Sequence, residues 1–400
     1  MAGATIDHMI SLTILIAALL LAMTSFNQMF STAIAYETNT QVATKAVDIM
    51  NTLSLSPGSP VDWGATNDSV LGFGLQDPQV GGYALSPYSL MRLNTVSNGN
   101  PPIYYEETGQ YYNNISTNYG HAILTPIGDC INYTTAAELL GINGTYGFSV
   151  DITQTLNVTV KQVSTDPHLK LNVSVSGSGL PLSGATLKYQ LFAIKEQDQS
   201  IVTYSNVTQT DWSGLAAIEF SEINYDNPVY SFTVYVSVGG LNGVGYYIHD
   251  SADADNFIVT FIKDYDTGEL ILAHSWDVLD AAGEEASVFY NAEFFILTSN
   301  FQLIDYELNC SGHLTSGHGF AYFETQIPTS EVGILIVAYK VNNEVGVVMV
   351  PWGLGALGVS TSFGGAIGSG GNDFVATELR QVTIDDMSYQ VKVSTWKLGN

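Results

Sequence analysis

Between Gly3 and Pro57 the chain contains neither glycine nor proline, and after Asp7 no Asp, Glu, Lys or Arg occurs until Glu37. Helix formers dominate the stretch, so one continuous helix is expected from about Ala4 to Leu55. At ~1.5 Å per residue it is roughly 75 Å long. A bilayer hydrocarbon core is only about 30 Å thick, so much of such a helix lies outside any membrane it enters.

The two halves of this segment read differently. Met9 to Met23 is apolar nearly all round, interrupted by Ser11 and Thr13. Further on, Val42, Ala46, Ile49, Met50 and Leu53 recur at helical spacing, while Thr40, Lys45 and Asp48 lie off that face. The second half is therefore expected to be amphipathic and to pack on a globular domain. A secretory signal peptide has a basic start, a shorter apolar core and a small-residue cleavage site, and fits badly. A simple membrane anchor leaves the continuation unexplained, and no flanking basic residues set its orientation. The cluster Thr24, Ser25, Asn27, Gln28, Ser31 and Thr32 is costly in lipid but can be satisfied between packed helices.

The run IDHMISLTILIAALLL, followed by MNTLSLSPGSPVDWG and GFGLQDP, resembles the archaeal type IV pilin-like superfamily of pilins and archaellins over about the first 95 residues. That resemblance implies an envelope protein whose subunits polymerise through the apolar half-helix. Here the polymer contacts would come from Ile10, Leu12, Ile14, Leu15, Ile16, Leu19, Leu20, Leu21, Met23, Phe26, Met29 and Phe30. It also implies a role for Asp7, pairing with the amino terminus of a neighbouring subunit. Taken by itself, Asp7 is an acid favourable to the dipole at a helix start. One departure stands out: Met1-Ala2-Gly3 lacks the basic residue usual at a prepilin processing site. The chain either begins near a mature end or is not processed in that way.

The helix is expected to stop at SPGSPVDWG, because Pro57 and Pro60 remove donors and Gly58 permits an unusual turn. Residues 57–148 are rich in Gly, Asn and Tyr and show little periodicity, so they are expected to form an irregular segment packing on the head, with a short helix near Thr135 to Leu140. From about Gly147 to Asp250, seven segments alternate apolar and polar residues at period two, among them TLNVTV, LKLNVSV and YSFTVYVSV. Separated by turn residues, they predict an immunoglobulin-like sandwich over 149–250. GLPLSGATLKYQLF and TDWSGLAAIEF also resemble the Ig-like repeats of bacterial and archaeal surface proteins.

Beyond this, NFIVTFIK and ELILAHS flank the turn DYDTG, and VGILIVAYK and EVGVVMVPW flank Asn342-Asn343. Two hairpins and a second sandwich over 251–400 are expected. The expected fold is thus mainly β with one long N-terminal α-helix over 1–56, a pilin-like helix followed by two Ig-like β-sandwich domains.

A formal net charge of −27 repels nucleic acid and anionic lipid, so neither is an expected partner. Cys130 and Cys310 are too far apart for a compact metal motif; a single disulfide and two separate thiols both stay open. Eight N-x-S/T sequons begin at Asn67, Asn114, Asn132, Asn143, Asn157, Asn172, Asn206 and Asn309. Asn157 and Asn172 fall on the polar side of a strict alternation, where a glycan can point into solvent.

Candidate chemistry elsewhere is thin. GLGALG, with Gly353, Gly355, Gly358 and a later Asp373, imitates a dinucleotide fingerprint but lies in a glycine-rich stretch with no βαβ context. HDSADADNF groups Asp250, Asp253 and Asp255 beside His249; the spacing is not that of an EF-hand, and a solvated acidic linker is the preferred reading over calcium. No zinc signature or GxSxG elbow occurs. No catalysis, cofactor, metal or small-molecule substrate is expected. The expected protein is a glycosylated cell-surface filament subunit, membrane-inserted before it assembles into a homopolymer, with adhesion among its uses. The competing expectation is a monomeric membrane-anchored adhesin or S-layer-associated protein with Ig-like domains.

Overall fold

The computed structural model describes residues 2–66, 68–93, 103–105, 110–116, 122–126, 130–194, 201–223, 228–249, 258–264, 269–274, 288–297, 303–314, 320–323, 333–341, 344–352, 360–366 and 374–399. The described chain is mainly β, with a single long helix, α1 (Ala2–Leu55), of 54 residues. With no breaker inside it, α1 runs unbroken to the Pro57-Gly58 turn. Gly58 there adopts φ +89°, and a Cβ at this position would lie 2.6 Å from the Gly72 carbonyl oxygen and from the Trp63 ring. Only glycine fits such a turn.

The C-terminal half of α1 packs on a four-stranded antiparallel sheet with the order Thr361–Gly364, Tyr146–Gln154, Met387–Lys397, Val375–Ile384. Val42, Ala46, Ile49, Met50 and Leu53 are all buried. These are the residues that the helical spacing put on one face. Val42 and Ala46 cluster with Ala376, flanked by Ala43 and Tyr146. An aromatic chain extends this core: Trp63, Phe73, Phe363, Phe148 and Tyr133 follow one another at centroid separations of 6.4, 6.2, 6.1 and 5.2 Å.

The membership of this sheet corrects the expected division of the chain. Strand Tyr146–Gln154 pairs with Met387–Lys397 along its whole length, Tyr146 opposite Lys397 and Gln154 opposite Tyr389. The last three described strands therefore complete the sheet under α1 and do not belong to a second sandwich over 251–400. Everything between Gln154 and Thr361 is inserted between two neighbouring strands of one sheet. Alternation shows that a strand has one buried face; it does not show which strand it pairs with.

The sandwich starts at Leu156. Strands Leu156–Ser164, Leu169–Gly177 and Leu215–Phe220 form one sheet, with Leu180–Pro181 attached at Leu169–Gly177. Leu241–His249, Val229–Val238, Thr186–Ile194 and Ile201–Gln209 form the other, in that order. Counting the seven main strands along the chain, 5-2-1 faces 7-6-3-4. This is an immunoglobulin-like distribution in which the fourth strand has joined the second sheet. Leu169, Leu171, Val173 and Val175 from one sheet meet Leu187, Leu191, Phe232, Val234 and Val236 from the other in a common core. Val229–Val238 is buried on both faces, since Ser231, Thr233 and Tyr235 are buried as well and strand Glu344–Trp352 packs against this layer.

Both expected hairpins form: Ile258–Asp264 pairs with Glu269–His274, and Gly333–Val341 with Glu344–Trp352. They enter different sheets. The first joins Phe320–Phe323 and, through a parallel pairing with Ala122–Pro126, the strands Gln110–Ser116 and Ile103–Tyr105. The second lies beside Val288–Leu297 and Leu303–Leu314. Strands inside 57–148 were not expected. Their Tyr- and Asn-rich sequence lacks the alternation that marks a half-buried strand. The short helix is present as Tyr133–Leu139.

Candidate assembly surface

The N-terminal half of α1 packs against nothing in the described chain. Each of Ile10, Leu12, Ile14, Leu15, Ile16, Leu19, Leu20, Leu21, Met23, Phe26, Met29 and Phe30 is exposed, from 49% at Ile16 to 69% at Leu21 and Met29. Ile34 and Tyr36 extend the exposed series. Apolar side chains gain roughly 25 cal/mol for each Å² removed from water, so an uncovered run of this size marks a contact surface. The helix is long and apolar enough to cross a membrane.

Polar side chains within the rod are partly satisfied by the rod itself. The Thr13, Thr24 and Thr32 hydroxyls donate to the carbonyls of Met9, Leu21 and Gln28 at 2.8–2.9 Å. Asp7 and His8 are exposed at the start of α1.

At the other end the rod is firmly anchored. No basic residue lies in the last turn of α1, where the dipole favours a cation. Arg380, from strand Val375–Ile384, supplies one. Its Nη1 donates to Ser54 Oγ at 2.5 Å, its Nη2 donates to Asn51 Oδ1 at 2.8 Å, and the guanidinium lies 5.0 Å from the Tyr83 ring centroid. The Leu75 amide donates to the Leu53 carbonyl at 2.9 Å, capping the helix end. Trp63 Nε1 donates to the carbonyls of Pro57 and Gly74 at 2.9 and 3.1 Å. Arg92, 2% exposed, closes the collar by donating to the carbonyls of Trp63, Thr66 and Asp68. These two are the only arginines in the sequence, and both hold the helix end and its collar. Their scarcity is the signal that could have singled them out.

Of the sequons, Asn132, Asn143, Asn157, Asn172 and Asn206 are exposed. Asn157 and Asn172 lie on the outer face of the 5-2-1 sheet, alternating with buried Leu156, Leu171 and Val173. Asn132 caps the short helix, its Oδ1 accepting from the Thr135 amide at 2.9 Å. Asn114 and Asn309 fall within strands Gln110–Ser116 and Leu303–Leu314, and Asn67 lies outside the described residues.

Cys130 is half-buried just before the short helix. Cys310 falls within strand Leu303–Leu314. Gly353, Gly355, Gly358, Asp373, Asp250, Asp253 and Asp255 lie outside the described residues. His249 Nδ1 lies 2.8 Å from the Pro228 carbonyl oxygen, and its ring stacks on Tyr230. Among the described residues, no three His, Cys, Asp or Glu side chains gather as a metal site.

No protein-family model matches the chain, and no curated protein matches it. Among the solved structures with some likeness to the chain are two of the C2A and C2B domains of extended synaptotagmin 2, one of them calcium-bound. They are 8% and 9% identical, each covers 63% of this chain and 91% and 96% of the other, and both have a TM-score of 0.10. At that score they carry no argument.

Proposed function

We propose that this chain is the structural subunit of an extracellular filament of the archaeal type IV pilus kind, polymerising through α1 with its β-rich head outside. One observation carries the reading: an apolar rod stands exposed on a helix whose other half is locked into the head. Lipid shelters the rod before assembly, and identical rods replace that lipid in the polymer. One interface repeated with a rise and a rotation gives an open helical fibre. Exposed Asn132, Asn143, Asn157, Asn172 and Asn206 are suited to carry glycans on the outer sheath.

A monomeric, membrane-anchored surface protein is the competing reading, favoured by the helix's ability to cross a bilayer. Leu19→Asp separates the two. A carboxylate buried among apolar rods costs several kcal/mol, so sheared cell-surface filaments should disappear while the head still folds. Normal fibres in this variant, or wild-type protein recovered only as a detergent-solubilised monomer, would overturn the filament.

A further inference from the structure

Trp212, at one end of the sandwich, is 86% exposed, more than any other large apolar side chain among the described residues. A lone exposed leucine is ordinary, but an indole puts far more apolar area into water. The turn that carries it cannot fold it back. Asp211 Oδ1 accepts from the Ser213 amide at 2.8 Å, the Ser213 hydroxyl at 2.7 Å and the Leu215 amide at 3.0 Å. Buried Thr210 donates to the Leu182 carbonyl at 2.7 Å. Gly214 adopts φ +75°, and a Cβ there would lie 2.7 Å from the Val175 carbonyl oxygen. The neighbours of Trp212 are fixed, while its indole makes no hydrogen bond or ring contact among the described residues.

Strand register shows what lies beside it. Asn157, Ser176 and Pro181 stand opposite one another in one row across three strands. Asn157 and Pro181 are exposed, and Ser176 between them is small. Adjacent strands lie about 4.8 Å apart, so the row spans roughly 10 Å. A Cβ at Gly214 would lie 3.0 Å from Pro181 Cβ, so the Trp212 turn borders the far end of the row. Asn157 also begins a sequon whose carboxamide is free. Among the other exposed sequons, Asn132 Oδ1 accepts from the Thr135 amide, Asn143 Nδ2 donates to Glu138 and Asn206 Oδ1 accepts from the Val207 amide. The side chains of Asn157 and Asn172 make no hydrogen bond among the described residues, and only Asn157 lies in the row that leads to Trp212.

We propose that Asn157 carries an N-linked glycan whose first sugars cross Ser176 and Pro181 and lay a pyranose ring against Trp212. A pyranose gathers C–H groups on one face and hydroxyls at its rim, and those C–H groups are drawn to the negative face of an indole. A neutral saccharide is not repelled by a chain of net charge −27. Tethering at Asn157 supplies a high effective concentration, so one weak stacking contact suffices. The inference rests on the extracellular reading, since the glycan is added on export, and is independent of fibre formation.

The test compares the full chain from its native cells with Asn157→Gln and Thr159→Ala, both of which abolish the sequon. Glycopeptide mass spectrometry reads occupancy at Asn157. Brief hydroxyl-radical oxidation, mapped by mass spectrometry in fibres and in dispersed subunits, reads the exposure of Trp212, with buried Trp63 as reference. The expected result is an occupied Asn157 and, in dispersed subunits, a Trp212 oxidised several-fold more slowly in the wild type than in either variant. An unoccupied Asn157, or equal oxidation in all three proteins, would overturn the contact while leaving the filament intact. Protection that persists in both variants within fibres and vanishes on dispersal would give Trp212 to a sister subunit and overturn the contact too. Glycan-dependent protection in a protein that never forms fibres would support the contact and overturn the filament.

Discussion

Asn51, in the last turns of α1, accepts a hydrogen bond at 2.8 Å from Nη2 of Arg380, 329 positions further along the chain. With the parallel bond to Ser54, this guanidinium fixes the rod to the last hairpin. Hydrogen bonds to charged groups are worth about 1.5–3 kcal/mol, so Arg380→Ala should lower head stability by about that much. Arg380→Lys should recover only part of it, because an ammonium lacks the planar fork that reaches both partners. Denaturant midpoints of the three proteins check this; equal midpoints would contradict the clamp.

Leu53 is buried at the base of the rod and Leu19 is exposed near its tip. Leu53→Ala should cost about 2–5 kcal/mol by leaving a cavity. Leu19→Ala should leave head unfolding unchanged. Thermal unfolding in detergent, which keeps the rod solvated, distinguishes the two.

Gly58→Ala should destabilise the collar, because alanine at φ +89° is strained and its methyl group meets the Gly72 carbonyl and the Trp63 ring. The check is Trp63 fluorescence, which should move toward that of a water-exposed indole. An unchanged spectrum and midpoint would show that the turn relaxes freely.

The sandwich carries a tyrosine group whose ionisation is opposed by the fold. Burial pushes Tyr189, Tyr204, Tyr230 and Tyr247 above their ordinary value near 10, helped at Tyr204 by Glu222 and at Tyr230 by Tyr247. Their folded values are raised, so below about pH 10 their stabilising contribution is complete. As pH climbs from there through the raised folded values, the unfolded chain releases protons that the native state keeps, and stability is lost. Denaturant midpoints should therefore hold steady up to about pH 9 and fall above about pH 10. A denaturant midpoint that stays constant from about pH 9 to about pH 12 would contradict this.

Local periodicity set the identity of the elements. The spacing of Val42, Ala46, Ile49, Met50 and Leu53 places them together on any α-helix, and the head covers that face. The alternation of Leu169, Leu171, Val173 and Val175 likewise required a half-buried strand. Asn157 and Asn172 were readable as solvent-facing for the same reason. So was the turn at Gly58, where two prolines and a glycine leave a helix no way to continue.

Tertiary structure alone decided what met what. Nothing near Tyr146–Gln154 announces that its neighbours are Thr361–Gly364 and Met387–Lys397, since a strand's pattern specifies a buried face and is indifferent to sequence distance. The same holds for Arg380, whose partners lie at the far end of the chain, and for Val229–Val238, whose second buried face depends on a strand more than a hundred residues later. Helical and strand periods come from backbone geometry within a few residues. The choice of partners comes from burying faces against one another, a free energy that exists only once distant segments have met.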